Sequence, residues 1–122
     1  GMDFYPTFLE MAGLPARKGE HLDGVSILPL LKDGNSELDR KKLYWHYPHY
    51  HRTKPYGAIR DGDWKLIEFF EDGELELFNL KADPFEKKNL AAVDSKKAEI
   101  LLKDLKSWRQ RVGAQMMTPN PP

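Results

Sequence analysis

Three short apolar runs between residues 56 and 80 are separated by two acidic turns that contain glycine, Asp61-Gly62-Asp63 and Glu71-Asp72-Gly73. Links as short as these join antiparallel neighbours, because parallel strands need a long crossover. The runs cover residues 56–60, 64–70 and 74–80, and a similar aromatic run covers residues 43–47 before Pro48. This composition is typical of strands. The pattern therefore predicts a meander of four antiparallel strands.

An amphipathic stripe follows the strands. Its apolar residues recur at helical spacing, and they are Ala98, Leu101, Leu102, Leu105, Trp108 and Val112. Asp94 or Ser95 can cap this helix at its start, and Gly113 is the natural stop. A stripe of this width covers one face of a small sheet. We therefore expect an α+β fold, in which a four-stranded antiparallel sheet carries a long C-terminal helix on one face.

The sequence before the strands predicts less regular structure. Residues 3–12 indicate a short helix with Asp3 as its N-cap, residues 25–31 a helical turn, and residues 33–36 a break. We divide the chain into residues 1–36, an antiparallel sheet plus helix over residues 37–115, and a flexible tail over residues 116–122.

The formal net charge of zero hides an uneven distribution. Residues 40–60 hold six basic side chains, three of the four histidines and no acid, whereas the remainder holds thirteen basic and nineteen acidic residues. Five aromatic residues share this basic stretch, namely Tyr44, Trp45, Tyr47, Tyr50 and Tyr56. The coincidence of charge and flat apolar surface indicates an anionic partner, although a merely solvated loop stays an alternative.

Five side chains in this stretch are the candidate ligand contacts: His46, His49, His51, Arg52 and Lys54. We predict no metal site among the histidines, because Pro48 breaks the helix that His-x-x-x-His spacing would need. Sugars and single-stranded nucleic acids both suit an aromatic, cationic surface, but the near-neutral pI argues against nucleic acid. No serine stands in a nucleophile context and no cysteine exists, so we assign no catalytic residue.

The large aromatic residues on strands and helix have a simpler interpretation. We expect Trp45, Trp64, Phe69, Phe78 and Trp108 to lie in the core. The acids Asp61, Asp63 and Asp72 are explained by turn chemistry rather than by catalysis.

Five segments, in this order, resemble the C-terminal portion of type I sulfatases of the arylsulfatase class. They read DFYPTFLEMAGL (3–14), LDGVSILPLL (22–31), LYWHYPHY (43–50), AIRDGDWKLI (58–67) and ELFNLKADPFEKKNL (76–90). The resemblance implies that residues 1–36 end the catalytic domain of such an enzyme, and that the rest forms its C-terminal subdomain. It also implies that the loop over residues 45–54 reaches toward the catalytic pocket.

Sulfatases of this class hydrolyse sulfate esters with a formylglycine, made within a Cys/Ser-x-Pro-x-Arg motif, and with a bound calcium. This chain has no cysteine, and none of its serines is followed two residues later by proline. The resemblance therefore implies that formylglycine and calcium belong to a larger N-terminal domain. We expect a C-terminal sulfatase fragment that recognises substrate and completes the structure but is inactive alone. A stand-alone module that binds sulfated or anionic glycans is the alternative.

The expected partner is a sulfated carbohydrate or another sulfate ester. We expect no membrane contact, since no run approaches the roughly 20 apolar residues of a spanning helix. Apolar residues within positions 1–36 would lose their catalytic-domain neighbours in an isolated fragment, which predicts self-association or a swapped dimer. Full-length members of the family are usually exported, and the chain itself does not fix a compartment.

Overall fold

The computed structural model describes residues 1–17, 19–20 and 23–118. These form two compact units, the first covering Gly1–Lys41 and the second beginning at Lys42. Part of the predicted flexible tail, residues 119–122, lies outside the described residues.

The first unit contains two short helices, α1 (Phe4–Met11) and α2 (Leu28–Lys32). The helical turn predicted over residues 25–31 is confirmed from Leu28 onward, whereas residues 25–27 are not helical. Pro29 lies in the first turn of α2, where its missing N–H costs nothing. Thr7 of α1 is buried, and its hydroxyl accepts a hydrogen bond from the Ile27 N–H at 3.0 Å. This contact ties the two helical segments together.

Asp3 joins distant parts of the first unit through its carboxylate. Arg40 donates two hydrogen bonds, at 2.7 Å to Oδ1 and 2.6 Å to Oδ2, and the Val25 N–H donates to Oδ1 at 3.0 Å. Asp3 does precede α1, but its side chain makes no capping bond, because these two partners engage both oxygens. The hydrogen bonds from Arg40 hold the pKa of Asp3 below its ordinary value.

One face of α1 is exposed and apolar. Phe4, Phe8 and Met11 are 57%, 61% and 60% exposed, and the rings of the two phenylalanines stack at 5.9 Å between centroids. Their spacing places them along one side of the helix.

The second unit begins with a four-stranded sheet. Its strands are β1 (Lys42–Tyr47), β2 (Tyr56–Asp61), β3 (Trp64–Phe69) and β4 (Leu75–Asn79), and each pairs antiparallel with the next along the chain. The tight turns use Gly62 and Gly73 at φ values of +58° and +70°, which glycine adopts without a steric cost. The predicted meander is confirmed.

Helix α3 (Ser95–Arg111) packs on one face of this sheet, which confirms the predicted α+β fold. The Asp94 side chain caps its start by accepting a hydrogen bond from the Lys97 N–H at 3.1 Å. The core combines three strand residues with three helix residues: Ile59, Leu66, Leu77, Ala98, Leu101 and Leu105.

Three expectations about the core are wrong. Phe69 is half-buried on the sheet face opposite α3, beside Tyr56, and is not part of the core. Val112 is 52% exposed, because α3 ends at Arg111 and the chain leaves the helical stripe there. Trp45 is 44% exposed, because it alternates with Tyr44, whose ring stacks on Trp108 of α3 at 4.9 Å. Trp45 therefore lies on the sheet face that α3 does not cover.

A nearly buried ion pair lies at the C-terminal end of α3. Arg109 donates to Glu68 of β3 at 2.5 Å, and their side chains are only 9% and 12% exposed. The guanidinium carbon also lies 5.0 Å from the centre of the Phe70 ring. Gly57 makes room for both, because a Cβ there would come within 3.1 Å of the Arg109 Nη1 and of the Phe70 ring.

Removal of the Glu68 carboxylate tests this pair. Glu68→Ala should lower the free energy of unfolding by about 3 kcal/mol, because the Arg109 charge stays buried without its partner. The control is Lys106→Ala, since that ammonium also lies near Glu68 but is 58% exposed, and it should cost about 0.5 kcal/mol or less. Urea unfolding followed by tryptophan fluorescence measures both, and equal losses would contradict the account.

The Asp3 carboxylate makes the first unit sensitive to acid. Because its pKa is lowered in the folded state, the stabilisation is complete above the unfolded pKa of about 3.9. This stabilisation is lost as the pH falls through the lower pKa that Asp3 has in the folded state. Hydrogen exchange of the Val25 amide, measured between pH 6 and pH 2, should therefore show protection that falls with acid. Asp3→Asn should lower the protection of this amide at pH 6 and remove most of its pH dependence. An identical dependence of protection on pH in the parent and the variant would contradict the role of Asp3.

Candidate functional site

The connection between β1 and β2, residues 48–55, is the candidate site and is called the β1–β2 loop below. Its residues 49–54 are all exposed, and it contains no acidic residue. Tyr50 is the most prominent aromatic side chain, with 70% exposure. Four of the five predicted ligand contacts lie on this loop: His49, His51, Arg52 and Lys54.

His46, the fifth predicted contact, lies within β1 and on the α3 side of the sheet. Its ring lies 5.4 Å from the Phe70 ring, and its Nε2 lies 2.7 Å from the Gln115 carbonyl oxygen. Among the described residues, its Nδ1 has no hydrogen-bond partner. The structure thus separates His46 from the four loop residues and gives it contacts inside the second unit.

His49, His51 and Arg52 form the outer part of the loop. The His49 ring meets Tyr47 edge-on at 5.7 Å, and the residue is exposed. No carboxylate in the described part of the chain pairs with Arg52. The backbone of Arg52 has a φ of +62°, a left-handed conformation that few residues other than glycine adopt.

Lys54 is paired within the protein. Its Nζ donates to Asp72 at 2.5 Å, lies 3.5 Å from Glu74 and sits 5.6 Å from the centre of the Phe69 ring. The hydrogen bond to Asp72 raises the pKa of Lys54 and lowers the pKa of Asp72. These contacts orient Lys54 toward the turn between β3 and β4.

Two further bonds fasten the loop to the same turn. The Tyr50 hydroxyl donates to Glu71, which raises the pKa of Tyr50. The Pro55 carbonyl accepts a hydrogen bond from the Phe70 N–H at 2.9 Å. Sequence reasoning assigned Asp72 to turn chemistry alone and overlooked Glu71, because no spacing rule links acids to loop residues about twenty positions earlier.

An aromatic row lies beside the loop on the sheet face that α3 leaves uncovered. Tyr47, Tyr56 and Phe69 are register neighbours on β1, β2 and β3. Their ring centroids are 6.0 Å and 6.5 Å apart. The rings are tilted to one another by 41° and 57°, and Tyr47 is the exposed member of the row, at 37%.

The charge excess of residues 40–60 is smaller in the structure than in the sequence. Arg40 binds Asp3, Lys42 binds Asp104 and Lys54 binds Asp72. The hydrogen bond to Asp104 raises the pKa of Lys42. Of the two cations on the loop, Lys54 is paired, whereas Arg52 has no carboxylate partner within the described residues.

No group of three or more His, Asp or Glu side chains within the described residues converges as a metal site requires. The calcium that the resemblance implies therefore finds no fitting ligand set in the described part of this chain. The same residues include no helix long and apolar enough to cross a membrane.

Comparisons with known proteins agree on the family of this chain. The family model described as N-sulphoglucosamine sulphohydrolase, C-terminal, matches residues 1–114. An N-acetylglucosamine-6-O-sulfatase from Bacteroides thetaiotaomicron is 40% identical over 95 residues, which cover 73% of this chain and 17% of that protein. Arylsulfatase K from Rattus norvegicus is 34% identical over 101 residues, which cover 74% of this chain and 17% of that protein.

A solved structure supports the same relationship. The structure of BT4656 in complex with its substrate, D-glucosamine-2-N,6-O-disulfate, superposes with a TM-score of 0.67 at 36% identity and covers 88% of this chain and 23% of that one. The chain thus spans about a fifth of the length of these relatives. It belongs to the sulfatase family and corresponds to the C-terminal region of its members.

Proposed function

We propose that this chain supplies substrate recognition and structural completion to a sulfatase, and that the β1–β2 loop contacts a sulfated sugar. The observation that carries the proposal is the loop itself. His49, His51 and Arg52 are exposed together on a segment without acidic residues. Nitrogen donors of imidazole and guanidinium groups suit sulfate oxygens, and a guanidinium can bind two of them at once.

The proposed substrate class is a sulfated hexosamine. Two similar proteins support it, one named as an N-acetylglucosamine-6-O-sulfatase and one solved with D-glucosamine-2-N,6-O-disulfate. The aromatic row of Tyr47, Tyr56 and Phe69 supplies an apolar surface for the sugar ring next to the loop.

The five predicted contacts take different parts in this proposal. Lys54 and His46 have partners inside the protein and support the ends of the loop, so their effect on the ligand is indirect. The outer residues His49, His51 and Arg52 make the direct contacts.

Sulfate-ester hydrolysis itself is proposed for the whole enzyme and not for this chain. The formylglycine and the calcium belong, in this proposal, to a catalytic domain outside this sequence. Support comes from the missing Cys/Ser-x-Pro-x-Arg motif and from the lack of converging metal ligands in the described residues.

We further propose that the isolated chain self-associates through α1. Phe4, Phe8 and Met11 form an exposed apolar strip, which is unfavourable in water. A second copy of the same strip would remove it from solvent in a symmetric contact.

Binding of glucosamine carrying N- and 6-O-sulfates, followed by titration calorimetry, tests the recognition role. Arg52→Ala should weaken binding by about tenfold, and His49→Ala by somewhat less, because each removes donors to the sulfate. The control is Lys103→Ala, which removes an exposed cation from α3. Unsulfated glucosamine is the second control and should not bind measurably.

Equal affinity in Arg52→Ala, His49→Ala and the parent protein would contradict the assignment. Sulfate release by the chain alone, measured by ion chromatography, would contradict the proposed division of labour between this chain and the catalytic domain.

Light scattering over a concentration series tests self-association. The average mass should rise with concentration, and the double variant Phe4→Ser, Phe8→Ser should stay monomeric, because the apolar strip is gone. Phe85→Ser is the matched control, since Phe85 is 78% exposed but lies in the second unit. A parent chain that remains monomeric at millimolar concentration would show the proposal to be wrong.

A further inference from the structure

We propose that the acidic turn between β3 and β4 positions the β1–β2 loop for ligand binding, with Glu71 and Asp72 as the positioning residues. The inference rests on the proposed function and adds to it two residues that do not touch the ligand. Their role is to hold Tyr50 and Lys54, and thereby to fix the segment between them.

The contacts bracket two of the three proposed ligand-binding residues, His51 and Arg52, while His49 directly precedes the first anchor. Glu71 accepts a hydrogen bond from Tyr50, just before His51 and Arg52, and Asp72 accepts one from Lys54, just after them. Each anchor is therefore within two residues of Arg52. A segment fixed this closely on both sides loses less conformational freedom when a ligand binds.

Asp72 has a double role in this arrangement. Its Oδ1 accepts a hydrogen bond from the Glu74 N–H at 3.0 Å inside the turn, and its Oδ2 accepts from Lys54 at 2.5 Å. Two backbone bonds close the turn around Gly73, from the Gly73 N–H to the Phe69 carbonyl and from the Phe69 N–H to the Glu74 carbonyl, both at 3.0 Å. One carboxylate thus joins a rigid turn to the loop.

The backbone of Arg52 shows why the anchors are needed. Its φ of +62° is unfavourable for a side chain with a Cβ and persists only where the surrounding structure imposes it. The anchors at Tyr50 and Lys54 lie on both sides of this residue. Loss of either anchor would let Arg52 relax to an extended conformation and turn its side chain away.

A purely electrostatic role and a positioning role predict opposite changes in ligand affinity for the same substitutions. A carboxylate near an anionic ligand repels it, so removal of Glu71 or Asp72 would raise affinity if charge alone mattered. Removal of Asp72 would also release Lys54 from its strongest partner and let it approach the ligand. The positioning role instead predicts that affinity falls, because the loop loses its fixed shape.

The experiment measures binding of glucosamine carrying N- and 6-O-sulfates by the 122-residue chain. Tyr50→Phe and Glu71→Ala should each weaken binding by about three- to fivefold, and the double variant should be no weaker than either. Glu71→Gln should retain most of the affinity, because its amide oxygen still accepts from Tyr50. Asp72→Ala should weaken binding as well, and Glu99→Ala, an exposed acid on α3, should not.

Two further readouts separate positioning from general loss of structure. The pKa of Tyr50, measured by NMR titration, should fall toward its ordinary value in Glu71→Ala. Amide order parameters of residues 49–53 should fall in Glu71→Ala and Asp72→Ala, while those of α3 and the melting temperature stay near the parent values.

The outcomes distinguish this inference from the proposed function. If Arg52→Ala weakens binding but Glu71→Ala, Asp72→Ala and Tyr50→Phe leave it unchanged or tighten it, the positioning role is wrong and the recognition role stands. If Arg52→Ala and His49→Ala have no effect, both are wrong.

Discussion

Burial of the apolar stripe of α3 against one face of the sheet is the contact on which the second unit depends. It decides which side chains of each strand point inward, because strand residues alternate between the two faces. Tyr44 and His46 therefore face α3, whereas Trp45 and Tyr47 lie on the opposite face. The same contact brings Arg109 to Glu68 and Phe70. These contacts support the end of the sheet from which the β1–β2 loop emerges.

The cations of residues 40–60 divide into paired and unpaired side chains, which the composition does not separate. Arg40, Lys42 and Lys54 are bound to carboxylates and stabilise the structure. Arg52, His49 and His51 are exposed on the loop, and they are the proposed sulfate donors. The net charge of this stretch therefore overstates the positive potential at the loop, because three of its cations are already paired with carboxylates.

The sequence predicted the fold well because its signals are local. The glycine turns specify the antiparallel neighbours, and the spacing from Ala98 to Trp108 specifies the face of α3 that is buried. It failed at Val112, which lies beyond the helix end, and at Trp45 and Phe69, since periodicity does not say which sheet face α3 covers. The site was predicted only as a set of donors. The hydrogen bonds that Glu71 and Asp72 accept join residues distant in sequence, and no local sequence pattern reveals such bonds.

The central claim is that the outer β1–β2 loop binds sulfate, and NMR mapping tests it most directly. Glucosamine carrying N- and 6-O-sulfates, added to the isotope-labelled chain, should shift the amide signals of residues 47–54 and give intermolecular contacts to the side chains of His49 and Arg52. Desulfated glucosamine should not. Shifts confined to the exposed lysines of α3, or no shifts at millimolar ligand, would contradict the account.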